Sequence, residues 1–331
     1  MIPYTRKTLP NGLTVVVNRD RTSKLAAVNI LYRVGARNEN PARTGFAHLF
    51  EHLMFRGTRA VENFDLPVQM ASGDNNAFTN NDYTDFYITL PKDNLETALW
   101  LESDRMEGLD ITPAKLEAEK KVVIEEFRQR YLNQPYGDQT MLLRALAYKV
   151  HPYRWAAIGL ATDHIAGATL ADVESFYRTH YRPSNAILSI SADMEEERML
   201  ELAEKWFAPL ADHPSETAAI PQEPMQTQAR RQEVERDVPA STVTVAYHMC
   251  ARTKPDFYTA DLVSDLLSGG DSGRLYTHLV KERNLLSSVN AYITGDVDPG
   301  LFVFTGQLLP GVTPEAAEAA FREEIEALQT T

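Results

Sequence analysis

Two histidines and a glutamate stand close together at His48-Leu49-Phe50-Glu51-His52. On a helix His48 and His52 lie one turn apart on one face, and Glu51, three residues after His48, joins them. Phe46, Leu49, Phe50 and Leu53 fall on the opposite face. One stripe can therefore bury while the other offers two imidazoles and a carboxylate. Two neutral imidazoles suit Zn²⁺ at about 2.0–2.1 Å. A carboxylate beside the metal can take a proton from bound water, whose pKa falls toward about 7. The bland alternative is a helix with two surface or core histidines.

A catalytic zinc usually has three protein ligands and one open position, so a third ligand must come from elsewhere. Thr112-Pro113 is a good helix start, with Thr as N-cap and Pro in the first turn. The helix predicted from there to about Tyr131 carries Glu117, Glu119, Glu125 and Glu126. Glu119 and Glu126 are seven apart on one face, with Val122 and Val123 between them. A carboxylate on a partly apolar face needs a partner, and a metal is one; a solvated acidic helix is the other reading. Spacing does not choose between Glu125 and Glu126.

The elements that must position these residues can also be read. Asn11-Gly12 predicts an opening hairpin turn leading into a strand over 13–17, and a second strand covers about 25–34. A helix fits 44–55, ended by Gly57, and 61–71 reads as a short helix or irregular segment. Two strand-like runs occupy 76–90 around the polar turn Asn80-Asn81-Asp82. Further helices are expected at 95–108, 137–149, 169–178 and 194–206, with a strand at 186–191. Strands and helices mix without strict alternation, which predicts an α+β fold: a tandem repeat of mixed or antiparallel sheets packed by helices.

The chain has 331 residues, 46 acidic and 33 basic, for a net charge of −13. A nucleic-acid binder usually leaves a basic footprint, and none is present. No apolar run approaches the roughly 20 residues of a membrane helix. A single cysteine, Cys250, leaves no internal disulfide framework or Cys-rich metal cluster. No apolar stretch follows the first residues. The reading is therefore cytoplasmic if Met1 is the native start, and periplasmic if a leader has been removed.

Pro209, Pro214, Pro221 and Pro224 among small polar residues mark 208–228 as a linker. It separates an expected first domain, 1–207, from a second, 229–331. The second repeats the first. Arg19-Asp20 leads into the strand 25–32, and Arg236-Asp237 into a strand over 242–248. Asn76-Ala77-Phe78 matches Asn290-Ala291-Tyr292, and Leu90-Pro91 matches Leu309-Pro310. Residues 110–207 have no counterpart after Leu309-Pro310, so the second domain is expected to be C-terminally incomplete. Its helix around Asp261-Leu262-Val263-Ser264-Asp265 contains no histidine, so the second domain is expected to hold no metal.

The run from Gly45 to Thr58 around His48-Leu49-Phe50-Glu51-His52 closely resembles the inverzincin peptidases of the pitrilysin, insulysin and mitochondrial-processing-peptidase family. Asn76-Ala77-Phe78-Thr79, Glu119-Lys120-Lys121-Val122-Val123-Ile124-Glu125-Glu126, the opening Thr8-Leu9-Pro10-Asn11-Gly12-Leu13, and Leu266 through Tyr276 also resemble it. The resemblance implies a metallohydrolase fold of the LuxS/MPP type, with paired domains facing each other across a chamber. It implies one Zn²⁺ per chain held by His48, His52 and Glu126, with Glu51 as general base and Glu119 orienting the site from behind. Asn76 and Ala77 would lie on an edge strand where a peptide substrate adds as a further strand. The metal-free half would supply substrate contacts, with Arg274 and Tyr276 as candidates. A homodimer, or a related partner subunit, is the expected assembly. The expected function is a zinc endopeptidase acting on peptides or unfolded segments. The alternatives are a non-catalytic subunit of the same fold and a zinc hydrolase of a non-peptide substrate.

Overall fold

Along the strands, apolar residues recur at every second position, and each such set turns to one side of a sheet. The computed structural model describes residues 2–213 and 218–330. In chain order its strands are β1 (Thr5–Thr8), β2 (Thr14–Arg19), β3 (Leu25–Tyr32), β4 (Asp74–Thr79), β5 (Thr84–Pro91), β6 (Ala186–Ala192), β7 (Thr242–His248), β8 (Leu286–Ile293) and β9 (Leu301–Leu308). The helices are α1 (Phe46–Leu53), α2 (Asp65–Met70), α3 (Leu95–Glu107), α4 (Pro113–Phe127), α5 (Gln139–Ala147), α6 (Thr162–Ala166), α7 (Leu170–His180), α8 (Glu196–Phe207), α9 (Asp256–Ser268) and α10 (Pro314–Thr330). The fold is α+β, as the sequence predicts.

The first compact unit runs to Leu132 and resumes over Val150–Pro224. Its six strands order as β1-β2-β6-β3-β5-β4. β2 pairs with β6 in parallel and the other neighbours pair antiparallel. Ala26, Val28, Ile30 and Tyr32 of β3 lie on one face with Phe86, Ile88 and Leu90 of β5 and with Leu188 and Ile190 of β6. Phe46, Leu49, Phe50 and Leu53 of α1 close over them together with residues of α3, α7 and α8. Each such buried side chain contributes about 1.5–3 kcal/mol, so this packing fixes α1 on the sheet. β1 and β4 are the two edge strands, and β4 has no further strand outside it among the described residues.

Beyond α1 the chain is held by a buried charge. Glu102 and Arg105 of α3 form an ion pair in the core, with Arg105 Nε 2.7 Å from Glu102 Oε2. The guanidinium lies over Phe86 and Phe64, 4.1 and 4.4 Å from the ring centres, and 5.7 Å from that of Phe55. Buried charge is costly unless paired in this way.

The second unit consists of Asn133–Lys149 and the described residues from Met225 on. Its antiparallel strands order as β7-β9-β8, the arrangement of β3-β5-β4 in the first. Ala77 pairs with Phe86 in one sheet, and Ala291 with Phe304 in the other. α9 and α10 follow their strands as α1 and α3 follow theirs, so the repeat seen in the sequence is a repeat of topology.

Two expectations differ from the structure. The helix from Pro113 is α-helical only to Phe127 and then widens into a π-helical turn over Arg128–Leu132. The unit boundaries also differ from 1–207, 208–228 and 229–331. Residues 133–149 pack with the second unit. Tyr136 Oη donates to Ala240 O (2.8 Å) and accepts from Ala240 N–H, and Arg230 donates to Ala147 O (2.7 Å). Glu223 accepts the N–H groups of Val150 and His151 at 2.8 and 2.9 Å, which keeps that part of the expected linker with the first unit. These bonds join residues 70 or more positions apart, which no local pattern reveals. Residues 214–217 of the expected linker lie outside the described residues.

Candidate metal centre

α1 begins at a left-handed Gly45 (φ 91°). A Cβ there would lie 2.6 Å from Ile158 O, so only glycine lets the chain enter the helix against that loop. The preceding Thr44 is fully buried. Its N–H and hydroxyl both meet His164 Nδ1 of α6, at 3.1 and 2.8 Å, and its hydroxyl accepts Leu160 N–H. The buried carboxyl of Glu39 accepts the N–H groups of Gly45 (2.8 Å) and Ala47 (2.9 Å). Burial pushes that carboxyl up to about 8, against the pull of these donors. On the inner face Phe50 stacks on Phe176 and Tyr181, with ring centres 5.3 and 5.1 Å away. This leaves His48, Glu51 and His52 on the free face.

α4 starts as predicted, with Thr112 Oγ1 accepting Lys115 N–H at 3.2 Å. Its side chains separate by face. Glu119 is 1% exposed and Val123 is buried, whereas Val122 is 43% exposed. Glu117 and Glu125 are exposed and pair with Lys120 and Arg128. Lys120 also donates to Ala168 O just after α6 (3.2 Å). α6 thus reaches the start of α1 through His164 and braces α4 through Lys120.

The two helices bring His48, His52 and Glu126 together. Their ligand atoms all lie within 4.8 Å of one another. Glu126 Oε2 is 3.6 Å from His48 Nε2 and 3.3 Å from His52 Nε2. Behind His52, Nδ1 faces Glu119 Oε2 at 3.5 Å. Arg56 Nε lies 2.5 Å from the other Glu119 oxygen, and Arg130 lies 3.0 Å from Glu126 Oε1. Where spacing left Glu125 and Glu126 equal, the geometry turns Glu126 to the imidazoles and Glu125 to solvent.

The electrostatics differ at each group. Burial lowers His48 to about 4, with Glu126 opposing, so its imidazole is neutral. Burial lowers His52 too, but hydrogen bonds to Glu119 and Glu126 outweigh it and lift the ring to about 9. Glu126 is held below the usual carboxylate range, first by His52. Burial would raise Glu119, yet His52 and Arg56 bring it below its ordinary value. Burial raises Glu51, and a hydrogen bond with Thr79 of β4 works against that rise.

The residues fit a divalent ion. Tetrahedral bonds of about 2.0–2.1 Å place ligand atoms roughly 3.3–3.4 Å apart, close to the separations of Glu126 from the two rings. The donor set of two imidazoles and a carboxylate suits zinc. A carboxylate behind a ligating ring is a recurrent feature of such sites. Among the described residues no second group of three such side chains converges.

Of the remaining candidates, Asn76 and Ala77 lie on the edge strand β4, where Asn76 is exposed and its Oδ1 accepts Ala77 N–H (2.8 Å). Arg274 and Tyr276 lie in the second unit and are engaged there. Arg274 Nε is 3.5 Å from Glu324 Oε2 of α10, and Glu324 also bonds His278 (2.8 Å). Tyr276 opens a π-helical turn, with Lys281 over its ring. Sequence reasoning missed Glu39, Arg56, Thr79, Arg130 and His164. Glu39, Arg56, Thr79 and His164 act through fold-level approaches with no spacing signal, whereas Arg130, four residues after Glu126, was open to an i,i+4 reading.

Comparison with known proteins points to one family and one fold. The family model described as "Insulinase (Peptidase family M16)" matches residues 14–155, and "Peptidase M16 inactive domain" matches 167–331. A protein named zinc protease PqqE of Helicobacter pylori is 33% identical over 327 residues, which cover 97% of this chain and 72% of that protein. A probable mitochondrial-processing peptidase subunit beta of Arabidopsis thaliana is 26% identical, covering 91% of this chain and 59% of its own length. The crystal structure of a protease from Helicobacter pylori superposes with a TM-score of 0.93 at 32% identity, covering all of this chain and 80% of that one. Pitrilysin superposes at 0.72 with 17% identity, over 96% of this chain and 35% of its own, a likeness of fold.

Proposed function

The chain belongs to the peptidase M16 family, and on that premise we propose that it is a zinc-dependent endopeptidase acting on peptides or unfolded protein segments. The observation that carries the reading is the convergence of His48 Nε2 and His52 Nε2 on one oxygen of Glu126. His48, His52 and Glu126 would hold one zinc per chain. Zinc there would polarise a scissile carbonyl and acidify a bound water.

This chain's own residues would do the rest. Glu51, half-buried with a raised carboxyl, accepts a proton from the attacking water and returns it to the leaving amine. Glu119 orients the His52 ring. The free edge of β4, at Asn76 and Ala77, offers backbone groups to an extended peptide, which needs little side-chain recognition. Arg274 and Tyr276 are the second unit's candidates for substrate contact. The working assembly would be a homodimer or a pair with a related subunit.

A second reading, a non-catalytic subunit of the same fold, draws on the inactive-domain match over 167–331. Zinc content and peptide cleavage separate the two. One zinc per chain with hydrolysis that disappears in Glu51→Gln, while zinc is retained, supports the peptidase. Cleavage undiminished in that variant removes the mechanism, and a zinc-free, inert protein leaves the subunit reading.

A further inference from the structure

The mechanism uses Glu51 and the three metal-facing residues; Glu39 touches none of them. It is 6% exposed, and both of its oxygens are spent on the first turn of α1, Oε2 on Gly45 N–H and Oε1 on Ala47 N–H. α1 has only eight residues, too few to be stable alone. Its N-cap is Gly45, which has no side chain with which to satisfy the free N–H groups. The Ile158 carbonyl leaves no room for one there. Glu39 meets that need from outside the helix, giving one carboxyl oxygen to each of two N–H groups.

The backbone beside Glu39 is itself anchored. Ala36 N–H donates to Asn80 O (3.1 Å) and Arg37 N–H to Asn81 O (2.9 Å), both in the turn joining β4 to β5. The Trp155 indole donates to Ala36 O (2.9 Å). The start of α1 is thereby tied to the hairpin whose strand β4 supplies Thr79 to Glu51. His48 directly follows Ala47, so a shift of this turn moves its Nε2 relative to Glu126.

We infer that Glu39 is a positioning residue: its carboxyl fixes the first turn of α1 so that His48 meets Glu126 on a shared metal ion. The inference rests on the proposed function, but its first consequence is metal affinity, which can be read without turnover.

The test uses the full chain with Glu39→Gln, whose amide must set a donor against one of the two N–H groups. Val17→Ala, a cavity in β2 remote from α1, serves as a stability control. Zinc affinity is measured by chelator competition, ligand geometry by the visible absorption of the cobalt(II) form, and turnover as kcat and KM on a peptide. All are taken where circular dichroism shows folded protein. Glu39→Gln is expected to bind zinc about ten- to a hundredfold more weakly, with altered cobalt absorption and a lower kcat at near-constant KM. Val17→Ala should melt earlier and keep its zinc affinity. If Glu39→Gln does not fold, Glu39→Asp, one methylene short, carries the same expectation. Wild-type zinc affinity in the Glu39 variant overturns the inference, as does an equal loss in Val17→Ala. A wild-type chain that takes up no zinc overturns the proposed function and this inference together, a distinct result.

Discussion

His52 Nδ1 stands 3.5 Å from Glu119 Oε2, and that carboxylate, 1% exposed, has the ring before it and Arg56 behind it. His52 is therefore fixed from the side away from Glu126, and its Nε2 is aimed rather than free to rotate. A carboxylate so placed also raises the basicity of the ring as a ligand.

Glu119→Gln should keep the fold and weaken zinc binding about ten- to a hundredfold. Chelator competition on the folded variant measures this. Unaltered affinity would mean that Glu119 serves only Arg56.

Glu125 and Glu126 are neighbours with opposite surroundings. Glu126→Gln should lose stoichiometric zinc and all zinc-dependent hydrolysis. Glu125→Gln, whose native partner is the exposed Arg128, should match the wild type in both, with stability changed by less than about 0.5 kcal/mol. Metal analysis of the two proteins side by side decides it; zinc retained in the first would displace Glu126 from the ligand set.

His180 is buried against Phe176, with its Nδ1 lacking a partner. Burial, helped by Arg182, lowers it from 6.5 to about 4. Between those values the unfolded chain binds a proton that the folded one refuses, so stability falls as pH drops through this window. About 2 kcal/mol should be lost from this group between pH 7.5 and pH 5. Urea unfolding of the wild type and His180→Leu at both pH values measures it: the variant should lose less on acidification. Equal losses would show that His180 does not drive the acid sensitivity.

The local elements were legible where one periodicity ruled. Alternating apolar residues marked β3, β5 and β6, and a 3.6-residue stripe placed Phe46, Leu49, Phe50 and Leu53 on the buried side of α1. The paired Asn-Ala-aromatic triplets on β4 and β8 exposed the repeat, and each lies at the same register against its neighbouring strand, Ala77 opposite Phe86 and Ala291 opposite Phe304. The π-helical turn after Phe127 was not legible, since its residues carry ordinary helix formers. Nor was the transfer of residues 133–149 to the second unit, which depends on Tyr136 and Arg230 finding partners about 80 to 100 residues away.

At the candidate site the division is the same. The sequence by itself determined that two imidazoles and Glu51 share one helical face, because helix geometry converts a spacing of three or four residues into adjacency. It also set a reservoir of carboxylates on α4 from which a third ligand could come. Only the tertiary structure decided which carboxylate faces the rings, what backs His52, and how the first turn of α1 is held. Those relations arise where α1, α4, α6 and the Glu39 segment pack together, and the packing of separate elements is not encoded in the spacing along any one of them.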